Sequence, residues 1–310
     1  MAPMSDWILH HYWPSPFAHK IRLALRLANI RWVSVEIPRV PPKPDLMPLT
    51  GGYRRTPVMQ RGADVFCDTQ NIARVLGESG CQKSLFADGD MDRILSYTAW
   101  LDAVVFDLAV RVVLTNALGS APAEFIQDRG SLYFEPDWSA ERLTAELPSV
   151  MRQLHAQFAQ INATLANRTG VFSDQLSYAD VGVAFLAWFL RGRWDLGAEF
   201  LAQFPQIVRI ETTLHALDDQ YVEMSASDAL KEATQCQPKW VGAWTPFCFE
   251  TLSLGDAVRI KPKGQSADPW VSGRLLALTD TRVSIACVHP DVGDVAVHFP
   301  VAGYQLMAEG

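Results

Sequence analysis

No stretch of this chain stays apolar long enough to cross a bilayer: the longest, VGVAFLAWFL, runs only from Val181 to Leu190. Nor does a basic leader followed by an apolar stretch and a small-residue cleavage site open it. A soluble, cytoplasmic protein without membrane contact is therefore expected. Cysteine is scarce as well. Cys67, Cys81, Cys236, Cys248 and Cys287 are odd in number, with neither CxxC spacing nor a paired histidine grouping, which argues against a disulfide framework or a zinc site. Reduced, mostly packed thiols are expected. His289 and His298 stand too far apart from other ligands to suggest a metal. Dense basic blocks are also missing, so a nucleic-acid surface is not expected.

What is present is apolar material and an uneven charge. About half of the 310 residues are hydrophobic, enough for more than one core. Lys and Arg outnumber Asp and Glu by 11 to 6 over residues 1–85, whereas the balance is 11 to 22 over 86–250 and 5 to 6 over 251–310. Only the first segment is positive, which suits a small anionic ligand there.

Three textures follow one another, without an internal repeat. DWILHHYW reads as a strand, FAHKIRLALRLANI as a helix with Phe17, Ile21, Leu25 and Ala28 on one face, and RWVSVEI as a second strand. The proline-rich connection PRVPPKPDLMPLTGGYRR is expected to hold neither helix nor inner strand, since proline removes a donor and fixes φ. TPVMQ and ADVFCD flank a turn as a hairpin, and DTQNIARVLGESG reads as a helix closed by glycine. A βαβ unit followed by ββα predicts a small mixed sheet with helices on its faces. From about 90 to 235, apolar residues such as Ile94, Leu101, Val105, Leu108 and Val112 recur near a 3.6-residue period and predict a helical bundle. After Cys236, short runs such as DAVRIKP, TRVSIACVH and DVAVHFP, separated by Gly, Pro and Asp, predict a small all-β, barrel-like module. The expected domains are 1–85, 90–240 and 246–310.

Several residues invite a chemical role beside a structural one. Ser15 followed by Pro16 is a strong helix N-cap pair; the cap uses an oxygen lone pair and leaves the hydroxyl proton to donate. Asp68 and Thr69 precede a helix start, where backbone N–H groups can hold a carboxylate and an aspartate can pair with an ammonium group. Pro57 after Thr56 sits before an apolar strand, either as a trans edge residue or as a cis bond. Arg54 and Arg55 are adjacent loop cations. Ser177 and Asp180 form a capping box, a folding signal outside the site.

In their order and spacing, SPFAHKIRLAL, RRTPV, DTQNIARVL and SYADVGV resemble the cytosolic glutathione transferase family across residues 7–190. The resemblance implies a thioredoxin-like N-terminal domain joined to an all-helical one, the β-rich tail being the departure. It implies glutathione as cosubstrate, a cis bond at Pro57 that presents Thr56 to the extended peptide, Asp68 and Thr69 at its γ-glutamyl end, and Arg54 or Arg55 at its glycyl carboxylate. Ser15, with Tyr12 as the other candidate, would donate to the thiol. No cysteine stands at this helix start, which disfavours thiol exchange, and Cys67 reads as a buried strand residue. A small electrophilic substrate and a homodimer are implied too. Tyr97, Trp100 and Phe106 could line the substrate side, although helix-spaced aromatics usually belong to a core. Conjugation, ether cleavage, dehalogenation and isomerisation all start from bound thiolate, so the reaction is left open. The alternative is a non-catalytic relative that binds or interacts through its β-rich tail.

Overall fold

A computed structural model describes residues 7–86, 89–245, 247–249, 251–264 and 267–309. Asp6, at the head of the first expected strand, and Pro246, at the expected start of the tail module, lie outside them. The chain falls into two compact units, one of Met1–Ala18, Arg31–Ile72 and Gln220–Gly310, the other of His19–Ile30 and Ala73–Asp219.

The first unit opens as the sequence predicts. β1 (Trp7–His11) leads into α1 (Pro16–Leu27), and β2 (Trp32–Glu36) returns parallel to β1 with Ile8 opposite Val33. β3 (Val58–Arg61) and β4 (Asp64–Cys67) form the hairpin, turning at Gly62 with φ 62°, a left-handed value that glycine adopts freely. β3 lies antiparallel to β1, and α3 (Thr69–Leu76) follows β4. This is the thioredoxin-like arrangement.

The proline-rich connection corrects one expectation. It holds a short helix, α2 (Met47–Thr50), with Pro48 in the first turn, where no N–H is required, and Gly51 in the left-handed conformation at its end. A second correction concerns residues after Asp219, which the expected helical bundle of about 90 to 235 includes. β5 (Tyr221–Glu223) pairs in parallel with β2, and the helix Ala226–Thr234 contributes Ala229 and Ala233 to the core of the sheet unit.

The tail forms a sheet of β6 (Ala257–Pro262), β7 (Val271–Leu278), β8 (Arg282–His289), β9 (Gly293–Pro300) and β10 (Tyr304–Ala308). It does not stand apart. β9 runs parallel to β4, with Phe66 opposite His298, so one sheet of order β10-β6-β7-β8-β9-β4-β3-β1-β2-β5 joins the tail to the first strands. The core is continuous across the joint, from Val33, Val58 and Val65 to Ile260, Ile285, Val297 and Phe299. Asp64 secures the joint: its Oδ1 accepts from His298 Nε2 at 2.9 Å and from Trp240 N at 3.2 Å, and its Oδ2 accepts from Lys239 N at 2.8 Å. Asp64 and His298 are fully buried.

The second unit is helical. Its most buried helix, Tyr178–Arg193, starts in the expected capping box, in which Ser177 N donates to Asp180 Oδ2 at 2.8 Å. Lys20, fully buried, places its ammonium 2.7 Å from both oxygens of Asp102, which supplies the partner a buried charge requires. Phe106 belongs to the core at 3% exposure, whereas Tyr97 and Trp100 are half-buried. Among the described residues no helix is long and apolar enough to cross a membrane.

Candidate functional site

Strand register brings the candidate residues of the first unit to one end of its sheet. Val58, the first residue of β3, stands opposite both His10 near the end of β1 and Cys67 at the end of β4. The segments that continue from these points are Tyr12–Ser15, Thr56–Pro57 and Asp68–Thr69. Two helices, α1 and α3, therefore begin at this end, and their dipoles favour negative charge there.

Ser15 is the N-cap of α1. Its Oγ accepts from Ala18 N at 3.2 Å, and its own N–H donates to Tyr12 O at 3.0 Å. Ser15 is 2% exposed and Tyr12 7%. The Thr56–Pro57 bond is cis. Next to it, Lys43 extends from the proline-rich connection and donates to Thr56 Oγ1 at 2.8 Å and to Arg54 O at 3.0 Å, with its ammonium 5.9 Å from the Tyr12 ring centre. Lys43 is buried and was not singled out by sequence; a lone lysine among prolines was its only signal.

Asp68 adopts a φ of 74°, unusual for a residue with a side chain, and caps α3 by accepting from Gln70 N at its Oδ1, 2.9 Å away. Its other oxygen, Oδ2, accepts from the hydroxyl of Tyr304 at 3.2 Å. The hydroxyls of Tyr304 and Tyr53 lie 3.1 Å apart. Since Tyr304 has one proton and gives it to Asp68, Tyr53 donates to Tyr304. Burial above all, together with the nearby Asp68 carboxylate, pushes both phenols well above their ordinary range, so both stay protonated donors. Thr69, the first residue of α3, is 5% exposed.

Arg55, expected to face a ligand carboxylate, meets one from the chain. Its Nε and Nη2 lie 2.9 and 2.5 Å from Oδ2 of Asp268, which precedes β7, and Arg54 Nε is 3.9 Å from Oδ1 of the same residue. Burial alone would lower the Arg55 guanidinium, but the hydrogen bond and charge of Asp268 outweigh it and hold the cation protonated. Cys67 is fully buried and its thiol is raised, first by burial and then by the Asp68 carboxylate, which leaves it unsuited to a nucleophilic role. The end of the sheet thus gathers an anchored carboxylate, a hydroxyl at a helix start, two helix N-termini and the Arg55–Asp268 ion pair.

Residues 14–79 match the family model of the glutathione S-transferase N-terminal domain, and residues 124–218 that of the C-terminal domain. Among solved structures, a GST-like protein from Pseudomonas syringae is similar over 99% of this chain and 100% of its own, with 29% identity and a TM-score of 0.71, so the tail has a counterpart there. A glutathione S-transferase from Methylobacillus flagellatus, solved with glutathione bound, matches 69% of this chain and 97% of its own at 17% identity and a TM-score of 0.52, a likeness of fold. Among curated proteins, the probable glutathione S-transferase parA of Nicotiana tabacum is 20% identical over 202 residues, 65% of this chain and 81% of that protein.

Proposed function

Because the chain belongs to the glutathione S-transferase family, we propose that it is a glutathione-dependent enzyme in which bound glutathione thiolate attacks a small electrophile. The observation that carries this reading is the convergence of Ser15, the cis Thr56–Pro57 bond, Asp68 and Thr69 at one end of the first sheet. In this reading the backbone of Thr56 pairs with the cysteinyl unit. Asp68 takes the α-ammonium group, and Thr69 with the start of α3 takes the γ-glutamyl carboxylate. Arg55 faces the glycyl carboxylate. The Ser15 hydroxyl, whose lone pair serves Ala18 N, directs its proton at the sulfur.

The energetics suffice. A free thiol, pKa about 8.5, is only a few per cent ionised at pH 7. A hydrogen bond to a charged group contributes about 1.5–3 kcal/mol and a favourable helix terminus up to about 2, against about 1.4 per pKa unit. Because the two overlap, a lowering of one to two units results, and thiolate becomes a major species. The thiol proton leaves to solvent, the sulfur lone pair forms a bond to the electrophilic atom as a leaving group departs with its bonding pair or a π pair moves to the adjacent atom and is protonated from solvent, and the protein contributes orientation and charge stabilisation. The same reading includes a cytoplasmic setting and a homodimer.

The test is the ultraviolet thiolate absorbance of bound glutathione across pH, with binding confirmed by calorimetry. The wild type should show a thiol pKa about one to two units below the free value, and Ser15→Ala should return it towards about 8.5. If Tyr12→Phe abolishes the shift and Ser15→Ala does not, Tyr12 is the donor. The burial of Ser15 and the engagement of Arg55 and Asp68 by tail residues favour one second reading, a non-catalytic relative that binds through its tail. Absence of glutathione binding would decide for it.

A further inference from the structure

The tail residues that hold Asp68 and Arg55, Tyr304 and Asp268, stand more than 200 positions away in sequence. The Methylobacillus flagellatus glutathione S-transferase is matched over 97% of its own length by only 69% of this chain. Tyr304 opens β10, opposite Pro262, and Asp268 precedes β7. Both therefore come from one region of the tail sheet.

At Asp68 the effect is to fix a carboxylate. Oδ1 is tied to Gln70 N and Oδ2 to the Tyr304 hydroxyl, itself supported by Tyr53. A carboxylate held at both oxygens keeps one orientation, and each oxygen retains a lone-pair site for an ammonium donor. At Arg55 the effect is electrostatic. The Asp268 carboxylate is 2% exposed, and removing a carboxylate from water is costly unless a cation is held against it. That pairing offsets the positive charge which a glycyl carboxylate would otherwise find.

We propose that these two tail residues retune the peptide site in opposite senses: Tyr304 positions Asp68 and strengthens the γ-glutamyl end, whereas Asp268 offsets Arg55 and relaxes the demand for a free glycyl carboxylate. The ligand class that follows is γ-glutamyl thiols whose far end is either ionised or neutral. The inference rests on the assignment of Asp68 and Arg55 to the two ends of glutathione.

The experiment is calorimetric binding, by competition where weak, of three probes to the full chain: glutathione, its glycyl monoethyl ester, and cysteinylglycine, which lacks the γ-glutamyl unit. Wild type should bind glutathione and the ester within about threefold of each other, since Arg55 is already neutralised. Asp268→Asn keeps an acceptor for Arg55 but removes the charge. It should tighten glutathione and cysteinylglycine by about tenfold while leaving the ester unchanged. Tyr304→Phe preserves the ring and should weaken glutathione and the ester equally, by about tenfold, with cysteinylglycine unaffected. Unfolding midpoints of both variants report on folding separately. If a variant shifts all three probes alike, or the wild type prefers glutathione to the ester by far more than tenfold, the inference falls while the site assignment survives. If the wild type binds none of them, both fall together.

Discussion

Replacing Asp64 by Asn tests the claim that this carboxylate joins the tail to the first strands. In the wild type three donors converge on this buried carboxylate: His298 Nε2 and Trp240 N at Oδ1, and Lys239 N at Oδ2. Burial lowers the His298 imidazole despite the counter-effect of Asp64, so the ring is neutral, donating from Nε2 while Nδ1 accepts from the Ser284 hydroxyl at 2.7 Å. An asparagine keeps one acceptor and turns an NH2 group towards whichever donors lie on its other side. With Oδ1 retained towards His298 and Trp240, the amide faces Lys239 N, donor against donor. The loss is a hydrogen bond to a charged acceptor, about 1.5–3 kcal/mol, together with a donor left unsatisfied, and about 3 kcal/mol overall is expected. Hydrogen exchange reads this locally: the amides of Lys239 and Trp240 should exchange on the order of a hundredfold faster, in step with a lower urea midpoint. A midpoint within about 0.5 kcal/mol of wild type, with both amides as protected as before, would refute the reasoning.

Two further outcomes follow from buried groups. Burial pushes the His10 imidazole from 6.5 down to about 4, against the hydrogen bond to Gln60 that raises it. The unfolded chain therefore takes up a proton that the folded chain refuses, so stability complete above about pH 6.5 should decline as pH falls towards 4, by about 3 kcal/mol for this group. Denaturant titrations between pH 7 and 4 should show that decline and a flatter profile in His10→Gln; equal slopes would contradict it. Gly51 has a φ of 61°, and a Cβ there would lie 2.6 Å from Cys287 Sγ and 2.9 Å from Val271 Cγ1. Gly51→Ala should cost about 2–4 kcal/mol through strain and overpacking, seen as a lower melting temperature, and Cys287→Ala in the same chain should restore part of it.

Most of the first sheet was legible because its signals are local. A strand of alternating or continuous apolar residues, a turn at Gly62 and an amphipathic helix each declare themselves within a dozen positions. The same holds for Ser15 before Pro16 and for Asp68 before α3 and Thr69 at its start, where capping chemistry marks the helix start whatever else the residue does. Proline misled at α2, because Pro48 occupies the one helical turn in which a missing N–H costs nothing. β5 carried no signal at all, since three residues have no measurable period and the strand exists through its pairing with β2. The tail's strands were readable one by one, but the parallel pairing of β9 with β4 was not. Tyr304 and Asp268 were invisible for a related reason: each earns its place beside the site through partners 236 and 213 positions away.

The strand order also sets a timetable for biosynthesis. β1 to β4 leave the ribosome first, with β2 and β4 as the outer strands, yet the strands that cover them begin only at Tyr221 and Gly293. At about 5–20 residues per second, the edge of β2 waits on the order of ten seconds or longer for β5, and that of β4 longer still for β9. Through that interval the nascent chain carries two bare hydrogen-bonding edges, the feature that invites pairing with a neighbouring chain. Among the described residues, the helical segment made in between, Ala73–Asp219, has no strand to offer them. A chain released before Gln220 would keep both edges open permanently, and the burden of holding it soluble would fall on chaperones.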